Sequence, residues 1–214
     1  MPATITCIRQ TKLGRYSLHC EQGFLFSVDS EIYFRSGVAE GDTLTDAQLD
    51  DLQHRSDDRK AKDKALQYLS ARLYGEQELY RKLCLKFDRE TSARAVAEMV
   101  RLELLDDEQF ARQKAAWLKG QHKSRREAER RLAEKGVERD IAAAVLDEVY
   151  ADADEREEID RLLERSYGAK LAAGKRDAVY AALCRRGFAP RTVREAIADW
   201  LESGFDADDG WESC

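Results

Sequence analysis

Three short segments of this chain restate one another: QELYRKLCLKF, REAERRLAEKGV and AVYAALCRRGF. Leu83, Leu132 and Leu183 hold equivalent places in them, 49 and 51 residues apart, and Lys86, Lys135 and Arg186 follow three residues later. Phe87, Gly136 and Gly187 come next, so two of the three segments end on a basic residue and a glycine. That ending suits a helix C-terminus, where a cation meets the negative end of the dipole and glycine takes the left-handed cap at no steric cost. A further apolar-periodic segment begins soon afterwards: ERDIAAAVLDEV after Val137, and PRTVREAIADWL after Ala189 with Pro190 in the favoured first turn. A period of about 50 residues built from helices confines the chain to a tandem array. The expected fold is mainly α, with three tandem three-helix repeats in an elongated curved array, neighbours burying each other's apolar stripes.

Composition agrees. Charged residues make up 36% and aromatics 8%, with only two prolines, a mixture that favours helices. Residues 1–44 stand apart. ITCIRQ, RYSLHC, FLFSV and EIYF are short, rich in β-branched and aromatic residues, and separated by turn material, so they predict a small antiparallel β unit. Thr45 then opens TDAQLDDLQ as a capping box with Gln48. The expected divisions are a connecting helix over 45–57, repeats over 58–105, 106–150 and 151–203, and an acidic, disordered tail over 204–214. Leu66, Leu69 and Leu73 are expected to line one helix, Leu79 and Leu83 the next, and Val96 and Val100 the third.

The stretch ELLDDEQFARQ raises the possibility of a catalytic carboxylate pair at Asp106 and Asp107. Adjacent helical residues point about 100° apart, which makes a poor acid/base pair. Asp106 as N-cap, with Asp107 and Glu108 in a first turn at the positive helix end, is the expected reading. No Gly-rich phosphate loop, nucleophile elbow or metal-ligand spacing occurs, so no catalytic residue, cofactor or metal is expected. His19, His54 and His122 are widely spaced. Cys7, Cys20, Cys84, Cys184 and Cys214 are read as reduced thiols of a cytoplasmic protein. No stretch is apolar enough for a membrane span.

The net charge of −6 argues against non-specific coating of nucleic acid, although a local patch acts within a Debye length of roughly 8 Å. One such patch is KGQHKSRREAERR: Lys119, Lys123, Arg125, Arg126, Arg130 and Arg131 against Glu127 and Glu129, a local +4. Arg185, Arg186, Arg191 and Arg194 form a second cluster at the corresponding place in the third repeat. Each is either a solvated helix face with i,i+4 pairs or a contact to phosphates or to acidic protein surface. Tyr74, Tyr80, Trp117, Tyr150, Tyr180 and Trp200 sit in helical registers and are expected in the core.

ALQYLSARLYGEQELYRKL, LLDDEQFARQ and RRLAEKGVERDI, in that order and spacing, resemble the RecX family of bacterial regulatory proteins. Asp106, Asp107, Phe110 and Ala111 match its Asp-Asp-x-x-Phe-Ala stretch; Leu132, Lys135 and Gly136 match its Leu-x-x-Lys-Gly. The resemblance covers roughly residues 60–200. It implies a non-enzymatic, monomeric three-helix-repeat protein acting in recombination and DNA repair. Such a protein binds the RecA recombinase filament and lowers its growth, ATPase and strand exchange; apart from the resemblance, the local basic patches could contact DNA. The readings of another class are a stand-alone DNA-binding helical module and a generic helical-repeat scaffold.

Overall fold

The computed structural model describes residues 2–206; of the acidic tail, Ala207 onward lies outside the described residues. The chain forms two compact units, Met1–Asp106 and Asp107–Cys214.

The first unit opens with β1 (Ala3–Gln10), β2 (Tyr16–Cys20), β3 (Gly23–Val28) and the short β4 (Thr43–Leu44), in the order β3-β2-β1-β4 with antiparallel pairing throughout. Ile5, Leu18, Val28 and Leu44 form its core. EIYF is not a strand. It lies in helix α1 (Ser30–Ser36), because Asp29 accepts a cap hydrogen bond from the Glu31 amide at 3.0 Å and Arg35 pairs with Glu31 one turn earlier. In helical form Ile32 and Tyr33 pack on the sheet core, and Tyr33 stacks on Tyr16 with centroids 4.2 Å apart. That packing overrides the β propensity of the segment.

Helix α2 (Asp46–Leu69) starts at Thr45 with the expected box: the Gln48 amide donates to Thr45 Oγ1, and the Thr45 amide donates to Gln48 Oε1 at 2.9 Å. It runs unbroken through residues 57–58, where a boundary was expected. One helix therefore serves two cores, giving Leu52 to the β unit and Ala61 and Ala65 to the first repeat. Arg15 and Ser56 secure the former, both donating to the Ser27 carbonyl. The stripe on α2 also differs from the expected one. Leu66 is 43% exposed and Leu73, just past the helix, 37% exposed, while Ala61 and Ala65 are fully buried. Small alanines let α2 approach its neighbour α4 (Arg89–Arg101) closely, and leucines at those positions would hold the helices apart. Between them, α3 (Glu76–Leu83) buries Leu79 and Leu83; α4 buries Ala95, Val96 and Met99 but leaves Val100 partly exposed.

The second unit holds the other two repeats. Repeat two is α5 (Asp107–Gly120), α6 (Arg125–Lys135) and α7 (Arg139–Val149). Repeat three begins with α8 (Glu155–Leu162), passes through a π-helical turn at Leu163–Tyr167 into α9 (Gly168–Ala172), and continues as α10 (Arg176–Cys184) and α11 (Pro190–Asp206). Leu83, Leu132 and Leu183 lie at corresponding sites in the middle helices α3, α6 and α10, each with no exposed surface. The cores are self-contained: one spans Ala61–Leu105, a second Phe110–Tyr150 and a third Ile159–Ile197. Each repeat thus buries its own apolar stripe, contrary to the expectation that neighbours bury each other's. Three helices around one leucine already enclose it. Among the described residues no helix is long and apolar enough to cross a membrane.

Candidate partner-binding surface

The basic stretch folds around a buried carboxylate. Ser124 is the N-cap of α6 and accepts the Glu127 amide at 3.2 Å, as in half of a capping box. The Glu127 side chain does not return to the cap. It accepts from Arg130 at 2.7 and 2.9 Å and from Arg131 at 2.9 Å, and both arginines also reach Glu134. Glu127 is 7% exposed, and the Arg130 hydrogen bond, with that of Arg131, holds its carboxyl down at about 2 despite the opposing effect of burial. Arg130 and Arg131 are therefore largely committed within the chain.

The other candidate cations divide in the same way. Arg125 pairs with Asp147 on α7, and Lys119 donates to the Val149 carbonyl at 2.7 Å. Arg191 pairs with Glu195 one turn on. Arg186 donates from Nη1 to the Gln121 carbonyl at 2.8 Å and to that of His122 at 3.4 Å. Lys123 is half-buried, and its carbonyl accepts from Tyr150, whose phenol burial pushes up to about 12, so that it stays a neutral donor. Arg126, Arg185 and Arg194 are exposed, with no side-chain hydrogen bond or ion pair among the described residues. With Lys123, whose ammonium likewise has none, they are the candidate cations left available to an outside anion.

The two clusters meet through Arg186, at the Gln121 and His122 carbonyls. Arg126 and Gly187 line a common cleft of about 320 Å³, with Lys119, Lys123 and Arg125 on the side of repeat two. The side of repeat three carries acid: Asp154, Glu155, Glu157 and Glu158 belong to the run YADADEREEIDR. Asp154 does cap α8 through the Arg156 and Glu157 amides. Glu155, however, accepts the Ala189 amide just before α11, and Glu158 takes both Arg161 and the His122 ring, the latter at 2.5 Å. Basic and acidic runs thus face each other across one cleft. Glu127 pairs with arginines of its own helix, one of the expected readings, whereas the His122–Glu158 contact escaped it. Ser124-x-x-Glu127 was a visible capping signature, but nothing local marks His122 and Glu158 as neighbours 36 residues apart.

The motif residues lie at the start and in the core of repeat two. Asp106 immediately precedes α5, Asp107 and Glu108 occupy its first turn, and Phe110 and Ala111 are buried in the core of repeat two. Leu132 lies in that same core; Lys135 ends α6, and Gly136 caps it with φ +88°. Tyr74 and Tyr150 are buried as expected, whereas Trp117 is 55% exposed, with the Lys114 ammonium 4.2 Å from its ring centroid. Among the described residues no group of three His, Cys, Asp or Glu side chains could hold a metal ion.

Residues 61–99 match the family model described as RecX, first three-helix domain. The chain is 30% identical over 155 residues to the regulatory protein RecX of Listeria innocua serovar 6a, a match covering 71% of this chain and 57% of that protein's length. It is 28% identical over 159 residues to the regulatory protein RecX of Caldanaerobacter subterraneus subsp. tengcongensis, covering 74% and 81% of the two chains. A crystal structure of a regulatory protein RecX shares the fold at a TM-score of 0.58 and 20% identity, over 92% of this chain and 99% of the other.

Proposed function

Since the chain belongs to the RecX family of regulatory proteins, we propose that it binds the filament of the RecA recombinase and lowers its growth, ATPase and strand exchange. The observation that carries this reading is the similarity to proteins named as RecX regulators over 155 residues, far beyond a single repeat. The cations proposed to meet the filament are Arg126, Arg185 and Arg194, which have no partner side chain among the described residues and can approach acidic protein surface or phosphate without first breaking an internal pair.

The test is DNA-dependent ATP hydrolysis by RecA of the same organism, with this protein added below stoichiometry. Inhibition at a low ratio to RecA is expected. Inhibition only when the protein saturates the DNA makes it a competitor for DNA. No effect at any ratio overturns both readings and leaves a scaffold.

A further inference from the structure

The cores of repeats two and three are separate clusters, and polar contacts bridge them. The turn after α10 rests on the start of α6. The Ser124 amide donates to the Arg186 carbonyl at 3.0 Å, while the Arg186 guanidinium reaches back to the carbonyls of Gln121 and His122. Gly187 lies against the first turn of α6 so closely that a Cβ there would sit 2.5 Å from both Ser124 Oγ and Glu127 Cβ, and 3.0 Å from the Glu127 amide nitrogen. Its φ of +94° is a second reason for glycine. The far side of the same junction is held by His122 and Glu158. His122 takes φ +54° two residues past α5, and Gly174 takes φ +73° two residues past α9. A left-handed histidine is strained where glycine is not, so the ring contact offsets a backbone penalty that the third repeat avoids.

We propose that Gly187 and Arg186 are positioning residues: they seat repeat three on the N-terminus of α6, so that Arg126 and Arg185 present one surface to the partner. The seat itself stands on the geometry above, and its consequence for binding rests on the proposed function. Two separate cores bridged at this seat swing apart when it is lost. A partner must then order them on binding, which weakens affinity without removing any contact group.

The test uses the intact protein, with amide hydrogen exchange at Ser124 read beside affinity for the RecA–DNA filament. Gly187→Ala is expected to speed exchange at Ser124 by about tenfold or more and to weaken filament binding by about tenfold, while amides around Leu132 and Leu183 keep their protection. Arg186→Gln, which keeps the glycine and adds no atom to the contact, is expected to act in the same direction more mildly, and decides the matter if the alanine variant does not fold. Arg126→Gln is the contrasting case: weaker binding with parental exchange at Ser124. Parental exchange at Ser124 in the Gly187 and Arg186 variants overturns the seat. Faster exchange with parental affinity overturns the positioning role. If the parent itself does not bind the filament, the proposed function fails and the positioning role with it, while the exchange data still decide whether the seat exists.

Discussion

An unfolded chain protonates its glutamates near pH 4.5, but in this fold Glu127 stays charged down to about 2 beneath Arg130 and Arg131. A carboxylate with a depressed folded value contributes stability that is complete above the unfolded value and lost as pH falls through the folded one. Glu127→Gln should therefore lower stability at pH 7 by on the order of 2 kcal/mol, after allowance for screening of the half-exposed arginines, and the gap to the parent should close between about pH 4.5 and pH 2. Thermal melts of both proteins across that range check the expectation. The same carboxylate separates two arginines that share one helical line. Arg126→Glu should leave the melting temperature within about 1 °C of the parent while weakening filament binding, because its side chain has no partner among the described residues to lose. Arg130→Glu should lower the melting temperature by several degrees, because it sets a like charge beside a buried carboxylate. Melting curves that coincide for the two variants would refute the division between committed and available cations. That division was only half legible in the sequence. The charges of the basic stretch could be counted, but which of them Glu127, Glu134 and Asp147 absorb depends on side-chain reach and helix packing.

At the level of single elements, periodicity identified the middle helices of the repeats well and misjudged the outer helix of the first. Leu132→Ala and Leu183→Ala should each cost about 2–5 kcal/mol in denaturant unfolding, as expected for leucines enclosed on all sides. Leu66→Ala, at a site with 43% of its surface in water, should cost under about 1 kcal/mol. Equal losses at Leu66 and Leu132 would return Leu66 to the core. The sequence pointed to Leu66 because large apolar side chains dominate any periodic pattern, whereas the buried line on α2 is marked by the small residues Ala61 and Ala65. EIYF was misread for a related reason: three residues of high β propensity concealed the Asp29 cap and the Glu31–Arg35 pair, each of which takes effect only once the segment is helical. Thr45 and Gln48 were read correctly because a capping box lies entirely within four residues.

Across the whole chain, separate cores imply separate responses to damage. Leu83→Ala should raise hydrogen exchange over residues 61–105 while amides over 159–197 keep parental rates. A uniform rise across both regions would mean that the two cores open together. The polar junction between the second and third repeats has a further consequence, felt when ionic strength is changed. Added salt weakens His122–Glu158 and the facing basic and acidic runs, yet scarcely touches cores built from leucine and alanine. A plot of log affinity against log salt for this protein therefore sums two processes: ions released where a partner is gripped, and loosening of the junction that presents the gripping residues. Its slope overstates the number of charges at the interface, and the excess is the part that should remain when Arg126, Arg185 and Arg194 are all neutralised.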